Sequence, residues 1–342
     1  MSKGRAEAAT GTGQVLITGF RGTRPGDAEV DTVRRFLETG LCAGVIFLRR
    51  NCTSPEQIAR LSRAFREAAG ELPPIISIDQ EGGRVARLDG GNGFLDWASA
   101  RDMATSGMTD AEIGAYWSER AWQMSEVGIN LNYAPVVDLD INPDNPIIGA
   151  LGRSYGRDPA VVSRMAEIFI RAHRSQKIMT SLKHFPGHGS STTDSHKDAA
   201  DISVSWQEIE IAPFANMITA GLADTVMNGH LLHPRFSDEP WIPASMSWRS
   251  VKSIRELGFR GAIITDDMQM AAVEDILPPE EAALAAINAG NTFLIYSNYR
   301  SSDRIDIVER IARSLVDNMD RMDPAAVSEQ IAHARQFRST LR

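Results

Sequence analysis

Short apolar runs rich in β-branched residues recur along the whole chain, and a segment of helical character separates each run from the next. The runs are apolar throughout instead of alternating with polar positions, a pattern typical of parallel strands buried on both faces. Eight strands are predicted in this way, at residues 15–18, 44–48, 74–78, 131–139, 178–182, 225–228, 262–265 and 293–296.

The segments between the runs carry residues that begin and end helices. An S-P pair at 54–55 supplies an N-cap and a proline at the first helical position, and Gln57 completes a capping box. A D-P pair at 158–159 repeats the device. Gly221 and Gly290 follow two other helical stretches, where a left-handed residue ends a helix.

Eight strand–helix alternations without a break in composition predict a single-domain α/β protein, a closed (β/α)8 barrel over residues 13–342. Residues 1–12 lack the apolar stretch of a secretory signal and are expected to form a flexible N-terminal tail. A doubly wound open sheet is the alternative fold, and it ranks second because no G-x-G-x-x-G follows the first strand. Active sites of barrels lie on the loops after the strands, so polar residues at the strand ends are the candidates.

Composition narrows the possible partners. The 342 residues hold 36 Lys and Arg against 44 Asp and Glu, a net charge of −8, which argues against binding to nucleic acid. No run of about 20 apolar residues predicts a membrane span. Two cysteines, Cys42 and Cys52, cannot form a disulfide framework, so a reducing compartment is expected and the cytoplasm is the default location.

The longest irregular stretch begins at Lys183 and ends at His196. In extended backbone Asp194 and His196 lie on one face, so the carboxylate could hold the imidazole in one tautomer and stabilise its protonated form. A glycine-rich loop that merely caps the barrel is the competing interpretation. The spacing of His184, His188 and His196 matches no recognised ligand pattern, so no metal site is predicted.

Two adjacent carboxylates, Asp266 and Asp267, follow the strand predicted at 262–265. Successive side chains of a strand point to opposite faces, so only one of the two is expected to face the barrel axis. A carboxylate buried at the barrel mouth is a natural nucleophile or base, and the other would serve as a helix N-cap. Strand geometry alone leaves open which is which.

Charged residues also surround the glycine pair at 82–83, namely Asp79, Glu81, Arg84 and Arg87. They could grip the hydroxyl groups of a ligand, or they could form no more than a salt-bridge network. Arg153 is open to the same two interpretations. A Schiff-base role for Lys183, as in a barrel aldolase, is a weak alternative because acidic neighbours would keep the amine protonated.

Several long motifs together resemble the β-N-acetylglucosaminidase branch of the family 3 glycoside hydrolases. The most specific is K-H-F-P-G-H-G from Lys183, followed by D-S-H from Asp194. D-Q-E-G-G-R-V from Asp79, G-I-N-L-N-Y-A-P-V-V-D from Gly128, R-S-Y-G from Arg153 and G-A-I-I-T-D-D from Gly261 occur in the family's order. The resemblance covers nearly the whole chain.

The resemblance implies a role for particular residues. Asp266 would be the nucleophile, His196 the general acid and base, and Asp194 the partner of His196, in a two-step displacement that retains the β configuration. No metal or organic cofactor would be needed. The residues that would hold the nonreducing sugar are Asp79, Arg87, Arg153, Lys183 and His184.

The implied activity is exo-acting release of GlcNAc from β-linked glycosides. The single-domain form resembles cytoplasmic bacterial enzymes that trim GlcNAc from anhydromuropeptides during peptidoglycan recycling, so the expected partner is a small saccharide or muropeptide. A phosphorylase that transfers the sugar to phosphate is the main alternative. A catalytically idle sugar-binding sensor is an alternative of another class, and a β-glucosidase or xylosidase has less support because the histidine-containing loop accompanies N-acetylated sugars.

Overall fold

A computed structural model describes residues 11–142, 144–193 and 200–341. Within these residues eight parallel strands close into a barrel in the order β1-β10-β9-β7-β5-β4-β3-β2. The barrel strands are β1 (Leu16–Thr18), β2 (Gly44–Phe47), β3 (Ile75–Ile78), β4 (Leu131–Asn132), β5 (Met179–Phe185), β7 (Thr225–Asn228), β9 (Ala262–Asp267) and β10 (Phe293–Tyr296). Strands β6 (Ala200–Asp201) and β8 (Leu231–Leu232) form a separate parallel pair.

At least one helix follows each barrel strand, which confirms the predicted (β/α)8 barrel. The helices among the described residues are α1 (Ala28–Glu38), α2 (Pro55–Ala68), α3 (Ala100–Ala104), α4 (Asp110–Glu126), α5 (Pro159–Ser175), α6 (Ala212–Thr219), α7 (Trp248–Glu256), α8 (Ala271–Glu274), α9 (Pro279–Ala289), α10 (Ile307–Asp317) and α11 (Pro324–Thr340). None of these helices combines the length and the apolar character that a membrane crossing needs. The tail predicted at 1–12 lies almost wholly outside the described residues, so it stays a prediction.

The predicted helix boundaries are confirmed where their signals were strongest. The Ser54 hydroxyl accepts a hydrogen bond from the amide of Gln57 at 3.2 Å, and a carboxylate oxygen of Asp158 accepts one from the amide of Ala160 at 2.8 Å. Gly290 ends α9 with a φ of 101°, in the left-handed region that other residues avoid.

The strand predicted at 131–139 is wrong over most of its length. β4 ends at Asn132, and beyond it the chain makes only a single bridge between Val136 and Lys183. Pro135 interrupts the strand because it has no amide proton for the sheet. β5 and β9, in contrast, run three and two residues past their predicted ends and include polar residues that the sequence placed in loops.

Two apolar layers separate the inside of the barrel from its outside. Ala262 and Ile264 of β9 belong to a cluster that fills the barrel, whereas Ile263 between them packs in the outer layer under the helices. Phe337 of α11 also joins the inner cluster, with its ring 5.8 Å from that of Phe293, so α11 closes the bottom of the barrel. Among the described residues, α11 therefore blocks the lower end of the barrel, and the carboxyl ends of the strands form the end that is open to a ligand.

Arg50, in the short turn after β2, joins loops from the two ends of the chain. Its guanidinium donates hydrogen bonds to the carbonyl oxygens of Phe20 and Tyr299 at 3.0 Å each and to that of Asn298 at 2.7 Å. The loops after β1, β2 and β10 are thus held together where the barrel closes on itself.

Candidate active site

A cavity of about 360 Å³ opens at the carboxyl ends of the barrel strands, within the size range of small-molecule sites. The six described residues to which the resemblance gives a role line it together, although they come from four different parts of the chain: Asp79, Arg87, Arg153, Lys183, His184 and Asp266. Its floor is apolar and includes Ile46, Met227 and Ile295, which belong to the cluster that fills the barrel.

One wall of the cavity is a buried ion network centred on Glu81. Arg153 donates two hydrogen bonds to the Glu81 carboxylate, both at 2.8 Å, and the Lys183 ammonium lies 2.6 Å from one of the same oxygens. Lys183 also donates to Asp79 at 2.9 Å. Burial alone would raise the pKa of Glu81, but the two cations hold it well below its usual range.

The network also fixes the charge of the lysine. Burial alone would lower the pKa of Lys183, yet Asp79 and Glu81 raise it above the ordinary value. Lys183 is therefore a charged hydrogen-bond donor, which disfavours the aldolase alternative because a Schiff-base lysine must lose its proton.

Asp79 and Arg87 differ from the buried pair at the centre of the network. The Asp79 side chain is 20% exposed and that of Arg87 is 24% exposed, and their nearest charged atoms lie 3.7 Å apart, beyond hydrogen-bond distance. The salt-bridge interpretation thus describes Glu81 and its two contacts with Arg153, although Arg153 also lines the cavity. Asp79 and Arg87 have polar atoms that a ligand in the cavity could reach.

His184 is held in place by a carboxylate that the sequence did not single out for a role. Nδ1 of His184 lies 2.6 Å from Asp138, which is fully buried and also accepts hydrogen bonds from the amides of His184 and His188. Burial would raise the pKa of Asp138, but the two imidazoles and the amide of His188 lower it. With Nδ1 bonded to a carboxylate, His184 presents Nε2 on the side of Arg153, 3.4 Å from its guanidinium.

Asp266 lies across the barrel from Asp79. Strands β9 and β3 are four positions apart in a barrel of eight, so their ends face each other over the cavity. Asp266 follows Ile264 by two residues, and Ile264 belongs to the inner cluster, so alternation directs the Asp266 side chain toward the axis. The amide of Asp267 donates a hydrogen bond to one oxygen of the Asp266 carboxylate at 2.8 Å.

Asp267 lines the cavity as well, so the expectation that only one of the two carboxylates would face it was wrong. Ile264 pairs with Phe293 of β10, whereas Asp267 pairs with Ile295, so three residues of β9 span two residues of β10. Such register shifts re-aim side chains and are frequent beside active sites. The shift places Asp267 in the same row as Ile295, which belongs to the inner cluster.

The loop that follows β5 is anchored by groups from the segment before α6. Glu210, which is fully buried, accepts hydrogen bonds from the amides of Gln207 at 3.0 Å and Ser190 at 3.3 Å. Burial raises the pKa of Glu210 to about 7. The Trp206 indole donates to the carbonyl oxygen of Pro186 at 3.0 Å.

Asp194 and His196, the predicted acid–base pair, lie outside the described residues, and their role stays a prediction. Among the described residues, no group of three or more His, Cys, Asp or Glu side chains is arranged to hold a metal ion. Asp138 could have been found from sequence as the acidic residue that ends the V-V-D run. Nothing in the sequence, however, indicates that it contacts His184.

Comparison with known proteins agrees with this geometry. Residues 13–331 match the Glycosyl hydrolase family 3 N terminal domain. A Beta-hexosaminidase of Stenotrophomonas maltophilia is 38% identical over 268 residues, 75% of this chain and 76% of that protein. Beta-hexosaminidase A of Pseudoalteromonas piscicida is 29% identical over 331 residues, 87% of this chain but 53% of the relative, so the chain spans about half of that protein.

Solved structures show the same architecture. A glycoside hydrolase family 3 beta-N-acetylglucosaminidase from Paenibacillus sp. superposes with a TM-score of 0.86 at 29% identity, over 97% of this chain and 62% of the other. The Beta-N-acetylhexosaminidase from Beutenbergia cavernae also gives 0.86, at 26% identity, over 97% of this chain and 98% of the other.

Proposed function

Because the chain belongs to glycosyl hydrolase family 3, we propose that it is a retaining exo-β-N-acetylglucosaminidase with Asp266 as its nucleophile. The observation that carries the proposal is the position of Asp266, which faces the Asp79, Lys183 and His184 side of the same cavity. A nucleophile on one wall and a fixed set of hydrogen-bonding groups on the other suit a single pyranose whose anomeric carbon points to Asp266.

The shape of the cavity supports an exo mode of attack. Its floor is closed by Met227 and Ile295, and α11 closes the barrel below them. A sugar chain cannot pass through such a cavity, so only a chain end can enter. Attack by Asp266 on the anomeric carbon of the bound sugar requires the rest of the chain to be the leaving group, which makes that sugar the nonreducing end. The names of the relatives, Beta-hexosaminidase and beta-N-acetylglucosaminidase, support an N-acetylated sugar in this position.

The reaction proceeds in two displacements. The Asp266 carboxylate forms a bond to the anomeric carbon while the bond to the leaving oxygen breaks, and His196 gives that oxygen a proton. His196, oriented by Asp194, then removes a proton from water, which attacks the anomeric carbon and frees the carboxylate. Two inversions at one carbon leave the β configuration of the sugar unchanged.

The described residues supply the binding part of this mechanism. Asp79 accepts hydrogen bonds from sugar hydroxyl groups, whereas Arg87, Arg153 and Lys183 donate them. His184, fixed by Asp138, offers a ring nitrogen of defined orientation. Because these groups are already held by one another, little conformational entropy is lost when the sugar binds.

The biological setting belongs to the same proposal. We place the reaction in peptidoglycan recycling in the cytoplasm, with GlcNAc-terminated muropeptides as substrates. The sequence resemblance to enzymes of that process supports the substrate. Cys42 and Cys52 are buried and form no disulfide, which supports a reducing compartment.

The test is hydrolysis of 4-nitrophenyl β-GlcNAc in phosphate-free buffer by the wild type and by Asp266→Ala. We expect turnover by the wild type, retention of the β configuration in the first product seen by proton NMR, and a loss on the order of 10⁴-fold or more in the variant. Asp275→Ala, at an exposed aspartate of the following helix end, is the control and should keep full activity.

Near-wild-type turnover by Asp266→Ala would reject the nucleophile. Faster turnover of the matching β-glucoside would reject the N-acetylated substrate. Formation of GlcNAc 1-phosphate on adding phosphate, with little hydrolysis in its absence, would identify a phosphorylase.

A further inference from the structure

The second carboxylate of the cavity, Asp267, has no part in the mechanism above, although it lies beside the nucleophile. Both oxygens of its carboxylate accept hydrogen bonds from neighbouring residues. One oxygen accepts hydrogen bonds from the amides of Ser297 at 3.1 Å and Gln269 at 3.2 Å, and the other accepts one from the Ser297 hydroxyl. Asp267 is thereby tied to the loop that follows β10.

The backbone of Asp267 is held from the opposite direction. Nε2 of His230, which follows β7, lies 2.9 Å from the Asp267 carbonyl oxygen. A carbonyl oxygen only accepts, so His230 donates from Nε2, and in the neutral ring Nδ1 accepts from the Ser245 hydroxyl at 2.6 Å. The amide of Asp267 in turn donates to the carboxylate of Asp266.

These contacts form a continuous path to the nucleophile. Ser297 and His230 fix residue 267 from the two strands that flank β9, and the amide of residue 267 fixes one oxygen of Asp266.

The other effect of Asp267 is electrostatic. In glycoside hydrolysis the transition state resembles an oxocarbenium ion, so a carboxylate that lines the cavity stabilises the positive charge that develops on the sugar.

We propose that Asp267, held by Ser297, is a positioning residue for Asp266 and that its negative charge supports the transition state. The proposal rests on the proposed function, because it assigns a task to a residue next to the nucleophile of that reaction. It goes beyond that function by making Ser297, which has no part in the two displacements, a determinant of how the rate varies with pH.

Asp267 changes its charge state at a pH close to neutral. Burial raises its pKa to about 6 and the neighbouring Asp266 carboxylate adds to the increase, while the hydrogen bonds from Ser297 and Gln269 oppose it. The other charged and titratable groups near it are Arg50 after β2, His230 after β7, and Tyr296 and Tyr299 on the β10 side.

These contacts determine whether the rate rises or falls with pH. Asp267 is charged above about pH 6 and neutral below, so the rate should fall as the pH drops through that value. The Ser297 hydroxyl stabilises the charged form, and its removal raises the pKa of Asp267 further, by about one unit for a hydrogen bond to a charged group.

The experiment compares wild type with Ser297→Ala over pH 4.5 to 9, measuring kcat/KM with 4-nitrophenyl β-GlcNAc. We expect the fall of kcat/KM on the acidic side of the profile to occur about one pH unit higher in the variant. The variant should then be about tenfold slower than the wild type at pH 5 and within twofold of it at pH 8.5. Ser297→Thr keeps a hydroxyl and should restore the wild-type limb. Ser302→Ala, at an exposed serine of the same loop, is the control.

A second measurement reads the carboxyl group itself. Carbon-13 NMR of aspartate-labelled protein should show a titration near pH 6 that is absent in Asp267→Asn and shifted upward in Ser297→Ala. An equal loss of activity at every pH in Ser297→Ala would mean a merely structural role and would overturn the proposal, as would an unshifted carboxyl titration. If the wild type turns over the substrate and Asp266→Ala does not, either result leaves the proposed function intact.

Discussion

Replacing Glu81 with glutamine removes the negative charge that two buried cations share, while the shape of the side chain is kept. The side chains of Glu81, Arg153 and Lys183 are 3–8% exposed, so water cannot compensate for the change. Breaking a buried ion pair costs about 3–5 kcal/mol because it leaves an uncompensated charge. Lys183 keeps its contact with Asp79, which places the expected loss at about 3 kcal/mol, or roughly 4 °C in the melting temperature of a chain of this length.

The assay is urea denaturation of the wild type and Glu81→Gln at pH 7 and again near pH 3. The pKa of Glu81 is depressed in the folded protein, so its contribution to stability is complete above the unfolded value of about 4.5 and declines as the pH falls below it. The difference between the two proteins should therefore be largest at pH 7 and smaller at pH 3.

Asp79→Asn is the matched control, since it removes a carboxylate of the same network that is partly exposed. It should cost about 1 kcal/mol of stability, because a partly exposed ion pair is screened by solvent, yet it should weaken GlcNAc binding measured by calorimetry. The reasoning fails if Glu81→Gln is as stable as the wild type at pH 7, or if the two variants lose stability equally.

Two further predictions concern Glu210 and Gly187, which lie close together where the loop after β5 begins. Burial raises the pKa of Glu210 to about 7, so the stability supplied by its neutral form is complete below about pH 4.5 and is lost as the pH rises through 7. In urea titrations, the free energy of unfolding of Glu210→Gln minus that of the wild type should therefore increase by about 3 kcal/mol from pH 4.5 to pH 9. If this difference is the same at both pH values, the prediction is wrong. A Cβ at Gly187, whose φ is 120°, would lie 2.7 Å from the Cβ of Glu210, so Gly187→Ala should lower the melting temperature by more than Gly156→Ala, where φ is 141° and no atom lies within 4 Å. Equal melting temperatures would show that the contact with Glu210 carries no cost.

The sequence predicted the barrel because its strands are buried on both faces. The strand at 225–228 and that at 293–296 were predicted at their observed bounds. The predicted strand ends were wrong where the last strand residues are polar. The apolar run stops at these residues because their side chains line the cavity, although the strand itself continues. The last residues of β5 and β9 were therefore assigned to loops.

The candidate site was predictable in part for the same reason. Polar residues at strand ends must meet at the mouth of a barrel, and Asp79, Lys183 and Asp266 do line one cavity. The contact between Asp138 and His184, 46 positions apart, depends on how the segment after β4 lies against the end of β5, which neither sequence segment indicates. Alternation along the strand predicted that only one of Asp266 and Asp267 would face the cavity. This was wrong because the register between β9 and β10 shifts.

The contacts of Arg50 have a consequence for how the protein is made. The cavity is bounded by Asp79 from early in the chain and by Ser297 and Tyr299 from near its end, and Arg50 needs the carbonyl oxygens of that late segment to fix the rim. A nascent chain on the ribosome cannot offer a finished binding site, however many of its strands have already emerged. A product that ends before β10 lacks Ser297 and Tyr299, and with them part of the cavity wall and the carbonyl oxygens that hold Arg50.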